Sequence, residues 1–336
     1  MAVTIYDVAK KAGVSTATVS KVLSNTPYVS EKTRAHVLNV VEELGFVPNV
    51  AARGLNKART YIIGLAFPYA SDYLFSDPHL LTFMRGVEQV AAAQEYNILL
   101  MPARAGEEGG SGLLRLLRTQ YVDGAIIVGM HQMEAVADRL RYRTLPTVAL
   151  GYHSLRGGEN TVHADDRNGA QMAVEHLIQT GHERIAVISV NRNLTALEER
   201  MAGYRQALAT RQLPSRPEWI TWGDFTEISG REQAGRLLGL SEPPTAIFAF
   251  NDRMAIGAIQ QLQKMGVRVP EDISVIGFDD IPAAAMFEPA LSTVRQPALA
   301  MGQAAAEMLF ALIGGQAQSF PARVLPASLI LRHSST

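Results

Sequence analysis

The sequence predicts an all-α helix-turn-helix head, a short hinge, and an α/β body of two doubly wound parallel-sheet lobes. Three observations carry this prediction. In residues 1–48, apolar residues recur at three- and four-residue intervals between residues that start and stop helices. From Tyr61 onward, short apolar runs alternate with amphipathic stretches, as in parallel sheets covered on both faces. Charge divides along the same line: residues 1–60 hold eight Lys or Arg against four acids, net +4, which leaves −5 on the remainder. A basic head on an acidic body directs the head toward a polyanion.

The head spans 1–48. Thr4 and Asp7 form a capping box before a helix from Ile5 to Lys11, with Ile5, Val8 and Ala9 on one face. Ala12-Gly13-Val14 breaks it, and Ser15 caps a second helix from Thr16 to Leu23 whose inward residues are Val19, Val22 and Leu23. Two short helices around a glycine turn make a helix-turn-helix. A third helix is capped by Ser30 and runs to about Leu44, burying Val37, Val40, Val41 and Leu44, and Gly45 ends it. The second helix is informative outside its core face. Thr16, Ala17, Thr18, Ser20 and Lys21 are small, polar or cationic, as close approach to base edges and phosphates requires. A merely solvated face more often carries long Glu/Lys pairs.

The hinge, 49–60, is short and basic. Asn49 can cap barely two turns of helix, and Gly54 weakens them by roughly 1 kcal/mol relative to alanine. So short a helix is marginal alone, and the segment is expected to be disordered or frayed when free, as a flexible linker would also be.

In the body, 61–336, seven strands are expected: 61–67, 97–101, 124–128, 147–150, 184–189, 246–250 and 274–278. Sites in such sheets lie beyond the carboxyl ends of the strands. Arg104, Arg200, Phe225, Asn251 and Asp279 follow strands or open the next helix. Planar bidentate groups suit vicinal hydroxyls, and an aromatic face suits the C–H side of a sugar ring. Each residue alone could equally be a cap or a loop residue.

Several classes are excluded by what the 336 residues lack. Zero cysteines leave no disulfide framework or thiolate metal site, which suits a cytoplasmic protein. The N-terminus does not read as a secretory signal, and no run of about 18 apolar residues would span a membrane. There is no Gly-x-Gly-x-x-Gly, phosphate-binding loop, Gly-x-Ser-x-Gly elbow or His-Glu-x-x-His, so an enzyme is not expected, nor a cofactor or metal. The run His163-Ala-Asp-Asp166 reads as a strand-to-helix turn with Asp165 or Asp166 as the cap.

The head from Val3 to Leu23, with Val29-Ser-Glu-Lys-Thr-Arg34 and Leu44-Gly-Phe-Val-Pro-Asn49, closely resembles the signature of the lac repressor/galactose repressor family. The resemblance is dense over some 60 residues and continues, more weakly, through the body. It implies a periplasmic-binding-protein-like body, and a sequence-specific DNA-binding regulator, expected to repress, whose operator affinity follows a small-molecule effector. It further implies a homodimer on a pseudo-palindromic operator. By the resemblance, Thr16, Ala17 and Lys21 read bases, and Thr18, Ser30 and Thr33 meet phosphates. Thr4, Ser15, Asn49 and Ala52 complete the DNA-binding set, with Leu55 as a minor-groove wedge. Arg104, Arg200, Phe225, Asn251 and Asp279 fall on effector positions.

Departures from the family make the effector its own question. Val128 and Gly151 stand where the lac repressor offers polar groups, and Leu194 and Ala196 where the purine repressor does. A sugar is the expected effector, with a nucleobase or sugar phosphate as the alternative. Tyr69, Tyr73 and Phe75 lie in a long aromatic loop that either lines the cleft or only covers the surface. The family's crossings map near 162, 291 and 321, giving lobe one as 61–162 with 292–320 and lobe two as 163–291 with 321–336. A transport component would share the body but would need an export signal and no head. No leucine heptad follows Leu329-Ile-Leu331, so a dimer is expected rather than a tetramer. Arg200→Ala or Asp279→Ala is expected to abolish the effector response and spare operator binding.

Overall fold

The computed structural model describes residues 3–23, 28–46, 59–67, 71–102, 121–128, 145–151, 159–190 and 194–335. The chain divides into two compact units, Met1–Thr60 and Tyr61–Thr336.

The first unit contains α1 (Ile5–Ala12), α2 (Thr16–Leu23) and α3 (Glu31–Leu44). Their apolar stripes meet in one core of Val8, Ala9, Ala12, Val19, Val22, Val37 and Val40, with Ile5, Leu23, Val41 and Leu44 packed around it. The α1–α2 turn depends on Gly13, whose φ of 65° is left-handed and strains any residue with a Cβ. Ser30 caps α3 by accepting the Thr33 amide at 3.2 Å, and Gly45 closes it with φ 62°.

The second unit holds two six-stranded sheets. Its elements are β1 (Ile62–Phe67), α4 (Ser71–Ser76), α5 (Pro78–Ala93), β2 (Asn97–Pro102), β3 (Gly124–Val128), β4 (Thr147–Leu150) and β5 (Thr161–Ala164). Then come α6 (Asp166–Gln179), β6 (Ile185–Val190), α7 (Thr195–Thr210), β7 (Ile220–Gly223), α8 (Glu227–Leu238), β8 (Ala246–Ala249), α9 (Asp252–Lys264) and β9 (Ser274–Asp279). The last are α10 (Pro282–Met286), β10 (Ser292–Arg295), α11 (Ala298–Ile313), β11 (Arg323–Leu325) and β12 (Ser328–Ile330). Lobe one orders its strands β11-β5-β4-β3-β1-β2, and lobe two β12-β10-β9-β8-β6-β7. Pairing is parallel except between β10 and β12. Each sheet carries its own core: Ile63, Leu65, Ile126, Val148 and Leu309 lie in the first, and Val187, Phe248, Val275, Phe278 and Leu177 in the second.

The chain crosses between lobes three times, somewhat later than the sequence reading placed it. Thr161–Ala164 still pairs in lobe one, while α6 packs on lobe two, so the first crossing follows 164 rather than 162. Ser292–Arg295 pairs with β9 in lobe two, so residues 292–295 do not belong to lobe one. Arg323–Leu325 pairs with β5 in lobe one, so lobe two resumes only after 325, at β12. The reason is general: a chain leaves a parallel sheet at the carboxyl end of its strand, and these strands end several residues beyond the expected points. β5, β7, β10, β11 and β12 were not among the expected strands. They are three or four residues long and carry Thr, His, Ser or Arg instead of an apolar run. Among the described residues, no helix is long and apolar enough to cross a membrane.

Candidate DNA-binding face and effector cleft

In the head, caps organise the polar face. Ser15 Oγ accepts the Thr18 amide at 3.1 Å and lies 2.9 Å from the Thr18 hydroxyl. Ser30 and Thr33 repeat the arrangement at 3.2 and 2.9 Å. Both threonine hydroxyls are therefore fixed at helix N-termini, where backbone N–H groups already favour an anion. The Asp7 carboxylate accepts the Thr4 hydroxyl at 2.7 Å and its amide at 2.9 Å, which holds Asp7 below the usual carboxylate range. On α2, Ala17 and Lys21 are exposed and Thr16 and Thr18 half-buried. Asn49, Ala52 and Leu55 lie outside the described residues, as do Arg104 and Tyr69.

In the body, one cavity of about 100 Å³ opens between the lobes at the carboxyl ends of the strands. Arg200, Phe225, Asn251 and Asp279 all line it, and so do the departure positions Val128, Gly151, Leu194 and Ala196. Phe75 sits on α4, is 57% exposed, and does not line the cavity.

Local packing explains how Arg200 is presented. It opens the second turn of α7, and Gly203 one turn later lets α7 approach α6 so closely that a Cβ there would collide with the Arg167 carbonyl. That approach brings Arg200 Nε to 2.8 Å from Asp166 Oδ1. The guanidinium also donates through Nη1 to the Phe250 carbonyl, lies 3.7 Å over the Phe278 ring, and is 3.9 Å from Asp279 Oδ1. Asn251 caps α9 by accepting the Met254 amide at 2.9 Å and donates to the Phe225 carbonyl at 3.0 Å. Among the described residues, its second amide proton has no partner. Leu80, Phe83 and Leu150 from lobe one and Leu197 from lobe two make the apolar wall.

Two features mark this cleft as costly to build. Phe225 and Asp279 both have positive φ, 75° and 115°, and Asp280 follows at 58°. Such conformations in non-glycine residues cost roughly 1–3 kcal/mol each and cluster at functional sites. Carboxylates are also crowded: burial pushes Asp252 well above its ordinary range, with the Asp279 charge adding to it. Burial likewise raises Asp279, while the charges of His79 and Arg200 pull it back.

Sequence reasoning did not single out Asp77, His79, Asp166 or Gln296 as lining residues, though all four line the cavity. Asp165, not Asp166, is the cap of α6, accepting the Asn168 amide at 3.1 Å, which frees Asp166 for Arg200. Gln296 follows a strand that its polar sequence hid, and His79 lies in α5, beyond α4 rather than next to the end of β1. Among the described residues, no group of three His, Asp or Glu could hold a metal ion.

Residues 4–49 match the model of the lacI family of bacterial regulatory proteins, and 174–335 match a periplasmic binding protein-like domain. The chain is 35% identical over 312 residues to the HTH-type transcriptional repressor PurR of Aliivibrio salmonicida, covering 91% of each chain. Among solved structures, a lac repressor dimer bound to operator and the anti-inducer ONPF superposes with a TM-score of 0.88 at 30% identity, covering 100% of this chain and 99% of that one. The transcriptional regulator CelR in complex with cellobiose does so with a TM-score of 0.78 at 32% identity, covering 99% and 100%.

Proposed function

Because the chain belongs to the lacI family of bacterial regulatory proteins, we propose that it is a homodimeric repressor that grips a two-fold-symmetric operator and changes that grip when a sugar fills the cleft between its lobes. Family membership makes it a sequence-specific DNA-binding transcriptional regulator with a ligand-binding body, not an enzyme. The observation that carries the effector reading is the convergence of Arg200, Asn251 and Asp279 with the Phe225 ring on one cavity. These supply planar donors, an acceptor and an apolar face, the requirements of a sugar ring. The replacement of polar by apolar side chains at 194 and 196 weakens recognition of a flat, polar-edged base, and one solved relative holds cellobiose. A nucleobase is the second reading, favoured by the likeness to PurR.

A thermal-shift panel of cellobiose, D-ribose, hypoxanthine and guanine separates the two. A ligand present at 100 times its Kd adds about 2.7 kcal/mol and raises the unfolding temperature. The expected result is a rise with a sugar. A rise with the bases alone would replace the sugar reading.

On the DNA side, Thr16, Ala17 and Lys21 are assigned to base edges, Thr18 and Thr33 with their caps to phosphates, and Leu55 to a minor-groove wedge. Leu55→Ala is expected to lower operator affinity about tenfold and to reduce bending, since a wedge offsets unstacking with contacts only a bent duplex offers. Unchanged bending in a circular-permutation assay would return Leu55 to the role of a linker residue.

A further inference from the structure

Gln296 stands where the chain leaves lobe two for lobe one, directly after β10 and two residues before α11. Its side-chain nitrogen donates to Asp279 Oδ1 at 2.7 Å and lies 3.2 Å from His79 Nε2. His79 belongs to lobe one, near the start of α5, where its ring meets Phe83 edge-on at 4.5 Å. Gln296 is buried and His79 and Asp279 are largely covered, and the three run from lobe two through the crossing to lobe one, with His79 Nε2 itself 3.8 Å from Asp279 Oδ1. The crossing strand is fastened to carboxylates along its length. Thr293 donates to Asp252, Arg295 pairs with Asp280 at 2.6 Å, and Gln296 donates to Asp279. Of these three carboxylates, only Asp279 lines the cavity.

We propose that Gln296 is a positioning residue that competes with the effector for Asp279. This rests on the reading that Asp279 receives a donor from the effector. When that donor takes Asp279 Oδ1, Gln296 is released from it, and the contact of Gln296 with His79 is no longer tied to the cavity carboxylate. The ligand then acts on the strand that joins the lobes, which is the differential contact a change of lobe arrangement requires. The neighbouring ion pair of Asp280 with Arg295 keeps β10 itself in place.

The test needs no effector. The chain has no cysteine, so Gln316→Cys in lobe one and Gln206→Cys in lobe two, both exposed, accept spin labels. Labelled full-length chain is diluted into excess unlabelled chain, and the inter-lobe distance is read by pulsed electron resonance. Gln296→Ala is expected to shift and broaden the distance distribution, and Gln296→Glu to shift it further by repulsion from Asp279. Asp279→Ala, which also removes the contacts of Asp279 with His79 and Arg200, should shift it at least as far as Gln296→Ala, and the double variant should shift it by less than the sum of the two, because they share one hydrogen bond. Gln296→Met, similar in length and without an amide, repeats the measurement if the alanine variant unfolds. An unchanged distribution, or shifts that add, would overturn the proposal. Cellobiose titrations of the same variants keep the two readings apart. Gln296→Ala should bind it about fivefold more tightly, as loss of one competing hydrogen bond implies. Weaker binding or an unaltered affinity would also overturn it. If Asp279→Ala binds cellobiose as the wild type does, it is the underlying effector reading that fails, whatever the distance measurement gives.

Discussion

Arg200→Ala is expected to lower folding stability by about 3–5 kcal/mol, well beyond its effect on ligand binding. The side chain is 7% exposed and that of its partner Asp166 only 3%. Removing the guanidinium deletes the 2.8 Å contact to Asp166, the donor to the Phe250 carbonyl and the stack over Phe278. What remains is a buried carboxylate without its cation, the costly outcome for a buried pair. Equilibrium urea unfolding of the isolated body measures it directly. A loss under 1 kcal/mol would mean that water reaches Asp166 and the pair is not buried in solution. This changes how the cleft is probed. From the sequence, Arg200→Ala looked like a clean removal of a ligand contact, but the structure makes Arg200 a strut of lobe two as well. Asp279→Asn, which keeps shape and alters charge, is the better separation of ligand response from folding.

Ala17→Glu is expected to abolish operator binding, by about a hundredfold or more, without unfolding the head. Ala17 is exposed on α2. Substitution at such a surface position usually changes stability by less than about 0.5 kcal/mol. A carboxylate near a helix N-terminus is, if anything, mildly stabilising. Against DNA the same charge meets phosphates and loses close approach to the base edges, and like-charge juxtaposition in an interface costs several kcal/mol. The two effects have opposite signs, so folding cannot explain the loss. Anisotropy titration beside a thermal melt gives both. Retention of affinity within threefold would remove α2 from the groove.

The head was legible because its helices are specified locally. Thr4, Ser15, Ser30, Gly13 and Gly45 each act within four residues of their own position, and the stripe of Val8, Val19, Val22, Val37 and Val40 is periodic. The long apolar strands of the body were legible for the same reason. The short strands were not. Thr161–Ala164 is fully buried although it contains Thr and His, because β4 and β11 flank it on both sides. Only the assembled sheet makes such a segment a strand. The cleft followed the same division. Arg200, Asn251 and Asp279 stand next to strands or helices that could be read, and the rule about carboxyl ends of strands reaches them. Asp166 and Gln296 are defined by partners 34 and 17 residues away, Arg200 and Asp279, and no spacing announces such pairs.

The central claim is that a small molecule in the cleft controls how tightly the head holds DNA. It is tested most directly by selecting a duplex from a random pool with the full-length chain, then titrating that duplex with and without the compound found by thermal shift. The account predicts a selected site with two-fold symmetry, an affinity that falls steeply with salt, and a change of about 5- to 150-fold when the compound is present. An asymmetric site, or an affinity indifferent to a compound that demonstrably binds the body, would contradict it.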